Sequence, residues 1–196
     1  MIELDRNDKD QHIRQQWFKD HKATLSQHGD LQVLDWKRPG TITYYCRYVF
    51  DGNKMYISGD IGEAVFWLTW KADVHSFDDI HVGYFEEKLA AYSRERRDFN
   101  SDKAVRRLRE WINDLKENEK AYDHDDMREL FERARDCSSK DEWAHIVNDN
   151  GWISGIDCDY WEWMYSIGDE IPWRIHGYLV GLKMASEQLK SKTVVA

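Results

Sequence analysis

Residues 41–58 read TITYYCRYVFDGNKMYIS, and this stretch decides the fold class. Alternate positions carry the apolar side chains expected of a β-strand with one buried face: Ile42, Tyr44, Cys46, Tyr48 and Phe50. The residues Asp51-Gly52-Asn53 follow, and glycine and asparagine accept the positive φ angles that tight hairpin turns need. The stretch therefore predicts two antiparallel strands joined by a tight turn.

Further strand patterns lie on both sides of this hairpin. The segment Leu31–Trp36 precedes it, and Ala64–Trp70 follows the second hairpin strand, Met55–Ser58. Together these segments predict a three- or four-stranded antiparallel β-meander. Residues 65–68 are apolar at every position, so we expect that strand to be covered on both faces.

Helical patterns occupy the rest of the chain. Residues 8–26 predict an opening helix with Ile13, Trp17 and Leu25 on one side, and the chain is predicted to be helical from Ser76 onward. Later helices are predicted to begin near residues typical of helix caps and first turns: Ser101, Asp123, Ser139 and Pro172.

The predicted fold class is α+β, with an N-terminal helix, an antiparallel β-meander of three to four strands and a helical C-terminal half. We place an α+β domain at residues 1–117 and a helical extension packed on it at residues 118–196. The length of 196 residues fits a single compact unit of this kind.

Composition indicates a protein of the cytoplasm. No apolar run approaches the roughly 20 residues of a membrane helix, and residues 1–10 are too charged for a secretory signal. The three cysteines are scattered without CxxC spacing, which favours reduced thiols. The isoelectric point of about 5.4 argues against direct nucleic-acid binding.

The net charge of −9 lies almost entirely in one part of the chain, residues 141–173, which we call the acidic aromatic segment. It contains no Lys or Arg, five of the ten Trp residues and eight acids. The acids are Asp141, Glu142, Asp149, Asp157, Asp159, Glu162, Asp169 and Glu170. Aromatic side chains anchor protein interfaces and carboxylates steer basic partners towards them.

The segment therefore predicts a surface that binds a basic, nucleic-acid-binding protein. The candidate contact residues are Asp157, Asp159, Tyr160, Trp161, Glu162, Trp163, Asp169 and Glu170. The alternative is that the tryptophans fill the core and the acids form its solvated rim. Burial of the tryptophans distinguishes the two interpretations.

Other charged groups support two further hypotheses. The carboxylates of Asp157, Asp159 and Glu162 are close enough in sequence to hold a hard cation, although their spacing matches no calcium loop. That arrangement would suit a small metal-dependent enzyme acting on nucleic acid or nucleotide. The basic stretch Arg94–Arg109 is interrupted by acids and is typical of a salt-bridged helix face, or it meets the acidic aromatic segment of another copy in a structural homo-oligomer.

No motif predicts catalysis or a cofactor. The chain has no GxSxG, its eight histidines are dispersed, and Cys46 lies in a strand pattern rather than at a helix N-terminus. The turn Gly59-Asp60-Ile61-Gly62 has no Lys after its second glycine, so it does not match a phosphate loop. We interpret it as a hairpin turn or bulge that needs two glycines for backbone reasons.

Two short runs carry a resemblance to a group of proteins. Residues 57–66 (ISGDIGEAVF) and residues 83–89 (GYFEEKL) resemble a pattern in small phage and prophage accessory proteins, where a strand–Gly-Asp–Gly–strand hairpin precedes a helix. The resemblance covers roughly residues 41–115. It implies a phage counter-defence protein of the anti-CRISPR type acting in the cytoplasm of a bacterial host, and it assigns no catalytic residue.

The leading hypothesis is a phage-encoded, non-enzymatic inhibitor that blocks the basic nucleic-acid-binding surface of a defence effector, such as a CRISPR effector nuclease. It expects no cofactor, no metal, no membrane and no direct nucleic-acid contact. A metal-dependent enzyme and a structural homo-oligomer, with a homodimer as its simplest form, are the alternatives.

Overall fold

A computed structural model describes residues 6–194, beginning with a short helical segment that leads into the sheet. Helix α1 spans Arg6–His12 and continues into a π-helical turn at Ile13–Trp17. Six antiparallel strands follow, and each pairs with the next in the sequence. They are β1 (Lys22–His28), β2 (Leu31–Lys37), β3 (Cys46–Asp51), β4 (Lys54–Gly59), β5 (Ala64–Trp67) and β6 (Leu89–Tyr92).

The sheet has more strands than the predicted three or four, because two strands lie in segments predicted to be helical. The opening helix ends well before residue 26, and Lys22–His28 instead pairs with Leu31–Lys37 across the turn at Gly29. Helix α2 covers only Val82–Glu87, and Leu89–Tyr92 adds the sixth strand beside β5. The α+β class is confirmed, as are the N-terminal helix, the central meander and the helical C-terminal half.

One face of the sheet forms the main core. Its inward side chains include Leu34, Tyr48 and Phe66, all with no exposed surface. The C-terminal helix α7, Trp173–Val194, shares this core through residues such as Tyr178 and Leu182. Because the Tyr48 hydroxyl donates to the Tyr178 carbonyl at 3.0 Å, the buried phenol has the hydrogen-bond partner it needs.

The expectation that residues 65–68 are covered on both faces is wrong. Phe66 is fully buried, but Val65 is half-buried and the Trp67 side chain is 63% exposed. Strand β5 therefore has one buried and one accessible face, as antiparallel strands commonly do. Its continuous apolar run reflects an apolar outer face rather than a second covering layer.

The chain divides into two compact units. The described part of the first comprises residues 6–96 and 171–194, which include the sheet, α1, α2 and α7. The second is Arg97–Glu170, an insertion within the first. This grouping differs from the expected division after residue 117, because α7 belongs with the sheet and not with the preceding helices.

The inserted unit is mainly helical and has its own core. Its α-helices are α3 (Ser101–Glu117), α4 (His124–Asp136), α5 (Lys140–Asp149) and α6 (Ile153–Ile156). Two 3-10 turns follow at Tyr160–Glu162 and Met164–Ser166, and the two-residue strands β7 (Asp98–Phe99) and β8 (Asp169–Glu170) pair with each other. Side chains of Asn100, Asp123 and Ser139 cap α3, α4 and α5, so the predicted helix starts are correct to within one residue.

Candidate functional site

The acidic aromatic segment is partly core and partly surface, and Trp143 belongs to the core. Its side chain has no exposed area, and its Nε1 donates to the Met164 carbonyl at 2.8 Å. Phe99 stacks against it with ring centroids 5.7 Å apart. For this tryptophan, the interpretation as a core residue is correct.

Two other tryptophans, Trp152 and Trp163, are half-buried and pack against Trp111, and we call these three residues the tryptophan cluster. The Trp152 ring stacks on Trp111 at 6.4 Å, and Trp163 meets Trp111 edge-on at 5.6 Å. Such aromatic pairs contribute about 0.5–1.5 kcal/mol each beyond the area they bury. The Trp152 indole also donates to Asn150 Oδ1 at 2.9 Å. The tryptophan cluster supports the residues between Asp157 and Trp163.

Asp157 fixes the turn that follows. One carboxylate oxygen accepts the backbone N–H of Asp159 at 2.9 Å, and the other accepts the Trp163 indole N–H at 3.1 Å. The first bond is an Asx turn, in which a short acidic side chain replaces a backbone acceptor. Asp157 therefore has a structural role, because it joins the exposed part of the segment to the tryptophan cluster through its hydrogen bond with Trp163.

Trp161 lies at the exposed centre of this turn. Its side chain is 60% exposed, and it sits in the 3-10 turn Tyr160–Glu162 between the exposed residues Asp159 and Glu162. Among residues 6–194, no salt bridge engages either of these two carboxylates. Tyr160 is half-buried, with its ring 6.3 Å from that of Tyr165. We call residues 157–163 the acidic tip.

Asp169 and Glu170 are engaged in the local structure of strand β8. Both lie in β8, where Lys140 Nζ contacts Asp169 Oδ2 at 2.6 Å and Lys103 Nζ donates to the Asp169 carbonyl at 2.7 Å. The Asn100 side-chain amide donates to the Glu170 carboxylate. The structure thus brings together six of the eight predicted contact residues, those from Asp157 to Trp163.

Cations from other parts of the inserted unit pair with two of the segment's eight acids. Arg133 on α4 pairs with Asp149 at 3.0 Å, in addition to the Lys140 contact with Asp169. The Glu142 carboxylate accepts the Ser138 N–H at 2.8 Å, and this bond lowers the pKa of Glu142. Asp149 and Asp169 are therefore engaged in ion pairs, whereas Asp159 and Glu162 of the acidic tip have no salt-bridge partner among the described residues.

An acidic cleft between α4 and α5 was not predicted from the sequence. The cleft has a volume of about 650 Å³, and its lining includes Glu129, Glu132 and Asp136 from α4 together with Glu142 and His145 from α5. The α4 acids recur at intervals of three and four residues, which places them on one helix face. That spacing was the available sequence signal.

The described side chains do not form a metal centre. No group of three or more His, Cys, Asp or Glu side chains in residues 6–194 has a geometry that could hold a metal ion. The metal hypothesis required Asp157, Asp159 and Glu162 to converge. The two oxygens of Asp157 instead bind N–H donors.

The thiols differ sharply in their surroundings. Cys46 and Cys137 are buried, while Cys158 within the acidic tip is exposed. Burial raises the pKa of the Cys46 thiol to about 12, so its nucleophilic thiolate is scarce at neutral pH.

No helix between residues 6 and 194 has the length and apolar character of a membrane span.

No family model, curated protein or solved structure matches this chain.

Proposed function

We propose that this protein is a non-enzymatic binding protein that docks its acidic tip onto a basic surface of a partner protein. One observation carries the proposal: Trp161 is 60% exposed between two exposed carboxylates that have no salt-bridge partner in the described chain. Tryptophan is the residue type most enriched among interface hot spots, where its burial supplies much of the binding energy.

The support beneath Trp161 favours binding because it limits the flexibility of the tip. Asp157 bonds the turn at both ends, and the Trp163 ring is held against Trp111. A contact surface that is already ordered loses less conformational entropy when the partner binds. The carboxylates of Asp159 and Glu162 add a salt-dependent attraction to lysine and arginine.

We further propose that docking of the acidic tip inhibits the partner protein. A groove lined by lysine and arginine, which binds the phosphates of nucleic acid, carries the positive charge that would attract the carboxylates of the acidic tip. A tip seated in such a groove would exclude nucleic acid by occupying the same cations. This extension rests on the resemblance to phage counter-defence proteins, with a nucleic-acid-processing effector as the partner.

A fluorescein-labelled arginine-rich peptide provides a defined basic probe for the acidic tip. We expect fluorescence anisotropy to show binding that weakens as salt rises from 50 to about 300 mM. Trp161→Ala and the double variant Asp159→Lys/Glu162→Lys should each weaken binding at least about tenfold, or about 1.4 kcal/mol. Asp157 is left intact because its reversal would break the turn.

The matched control is Trp67→Ala, which removes an equally exposed tryptophan, 63% against 60%, from the other unit. It should bind the peptide as the wild type does. If Trp161→Ala also binds like the wild type, only diffuse net charge attracts the peptide and the acidic tip is not the docking surface.

A further inference from the structure

The two edges of the six-stranded sheet differ in how well they are protected. An exposed strand edge can pair with another strand, and proteins commonly prevent this with short edge strands, charged side chains, proline or bulges. Strand β6, at one edge, has only four residues, and Arg96 Nη2 donates to its Leu89 carbonyl at 2.9 Å. Strand β1, at the other edge, has seven residues that pair with β2 in unbroken register.

The Gln188 side chain of α7 covers one end of the β1 edge. Its Oε1 accepts the Ala23 N–H at 2.8 Å, and its Nε2 donates to the His21 carbonyl at 3.2 Å. The side-chain amide thus takes the place of a neighbouring strand at this end. The bond to Gln188 also shows that the N–H of Ala23 points away from β2.

The rest of the edge, from Leu25 to Gln27, is open. Successive residues of a paired strand alternate in the side to which their backbone groups point, so the N–H and carbonyl groups of Leu25 and Gln27 point away from β2, as that N–H of Ala23 does. Within residues 6–194, these groups have no hydrogen-bond partner on that side. Residues 23–27 (ATLSQ) also contain no charged residue and no proline.

We propose that β1 pairs with β1 of a second copy of this chain, antiparallel, with Leu25 of each copy opposite Gln27 of the other. In this register each residue donates its N–H to the carbonyl of the residue that faces it. The twofold axis of such a dimer passes beside Ser26, where a small polar side chain meets its own equivalent.

The charged residues at the two ends of β1 select a second copy as the occupant. Because Lys22 precedes Leu25 by as many residues as Asp30 follows Gln27, the register places Lys22 of each copy opposite Asp30 of the other. Both residues are exposed, and neither has a salt-bridge partner in the part of the chain that the structure describes. Opposite charges at facing positions stabilise a strand pair.

The neighbouring registers lack this match. A shift that places Leu25 opposite its own equivalent would need the Ala23 N–H, which Gln188 already binds, and would bring Asp20 opposite Asp30. A shift in the other direction places Asp30 opposite Thr24 and leaves the lysine of β1 without an acidic partner. Like charges at facing positions destabilise a strand pair.

Light scattering on the full chain tests the dimer. We expect a dimer at about 100 µM, where an interface with a micromolar dissociation constant is largely assembled, and dissociation on dilution. Gln27→Pro should weaken dimerisation at least about tenfold, because proline removes an outward N–H and no bond to β2. Gln27→Ala is the matched control, since it keeps the N–H and should dimerise as the wild type does.

Exchange of charges tests the register itself. Lys22→Glu and Asp30→Lys each bring like charges together at both ends of the strand pair, so each variant alone should dimerise at least about tenfold more weakly than the wild type. An equimolar mixture of the two variants restores opposite charges at both ends and should form a heterodimer as readily as the wild type dimerises. Gly29 supplies the positive φ angle of the β1–β2 turn, +61°, so Asp30→Lys leaves the turn intact.

The same far-ultraviolet circular dichroism spectrum in all variants would show that each one folds. The inference is overturned if the wild type stays monomeric at the same concentration, which would leave the open edge to a strand of another protein. It is also overturned if Gln27→Pro dimerises as tightly as the wild type, or if the mixed charge variants assemble no better than each alone. A dimer that Asp159→Lys/Glu162→Lys dissociates and Lys22→Glu does not would assign the contact to the acidic aromatic segment and reject pairing through β1.

Discussion

At the scale of single residues, Gly59 shows how one backbone position determines a turn. Its φ angle is +135°, a region that residues with a side chain rarely adopt. A Cβ atom placed there would lie 2.3 Å from the Tyr45 carbonyl oxygen, which accepts the Asp60 N–H at 2.9 Å. We expect Gly59→Ala to destabilise the protein by about 2 kcal/mol or more, measured by urea denaturation.

Gly155→Ala is the control for this prediction. Gly155 lies in α6 and has an ordinary φ angle, and a Cβ atom added to it would meet no other atom within 4 Å. Replacement by alanine at such a site changes stability by less than about 1 kcal/mol, usually favourably. Equal stabilities for the two variants would show that the turn relaxes around the new methyl group.

Residue-level prediction from sequence succeeded where the constraint is local. The two glycines of the turn at residues 59–62 were assigned a backbone role, and both have φ angles of +135°. Burial of the tryptophans could not be assigned in this way. Trp143 and Trp161 are the same residue type in the same acidic segment, yet tertiary packing leaves one at 0% and the other at 60% exposed.

At the scale of elements, the start of α5 is a cap whose contribution can be measured. Ser139 Oγ accepts the Glu142 N–H at 3.2 Å, and Glu142 accepts the Ser138 hydroxyl at 3.0 Å. We expect Ser139→Ala to cost about 1 kcal/mol of stability in urea denaturation. Ser191→Ala, within α7 and away from any cap, should change stability by less than about 0.5 kcal/mol.

The same cap has a defined pH dependence. The Ser138 bonds hold the pKa of Glu142 below its ordinary value of 4.5, so the ionised carboxylate stabilises the folded state above that pH. The contribution is lost as pH falls through the lowered pKa. Denaturation at pH 7 and pH 3 should therefore show a smaller acid-induced loss for Glu142→Gln than for the wild type.

Elements defined by caps and strong periodicity were predictable, and elements defined by distant partners were not. The helices after Asp123 and Ser139 follow from local hydrogen bonds within the first turn. Strand β1 was missed because Ile13, Trp17 and Leu25 fit a helical period across a chain that turns before residue 22. In the same way, the sequence of the acidic aromatic segment gives no sign that Asp149 pairs with Arg133, which lies on another helix.

At the scale of the whole molecule, the inserted unit begins and ends at the same place. Strands β7 and β8 pair Asp98 with Glu170 and Phe99 with Asp169. Gly168 allows this closure, because a Cβ atom there would lie 2.3 Å from the Phe99 ring. Two-residue strands give almost no sequence signal, which explains why the expected boundary fell at residue 117.

This closure predicts that Arg97–Glu170 folds as an isolated fragment. The unit has a continuous chain, adjacent ends and a core of its own that includes Leu108, Leu130 and Trp143, all with no exposed surface. Domains of about 60 residues can bury enough apolar area to fold alone. We expect helical circular dichroism, a near-ultraviolet tryptophan signal and one cooperative thermal transition.

A shorter fragment, residues 101–167, tests whether the strand pair closes the unit. It keeps the helices but lacks Phe99, Gly168 and the β7–β8 pairing, so it loses the Phe99 ring that stacks on Trp143. Removing a fully buried aromatic side chain costs about 3–5 kcal/mol, and the half-buried Phe99 should contribute a part of that, still a large share of the stability of a small domain. The shorter fragment should therefore melt at a much lower temperature. If the two fragments have the same melting temperature, helix packing alone stabilises the unit and the strand pair only marks its boundary. If neither fragment melts cooperatively, the inserted unit depends on the rest of the chain.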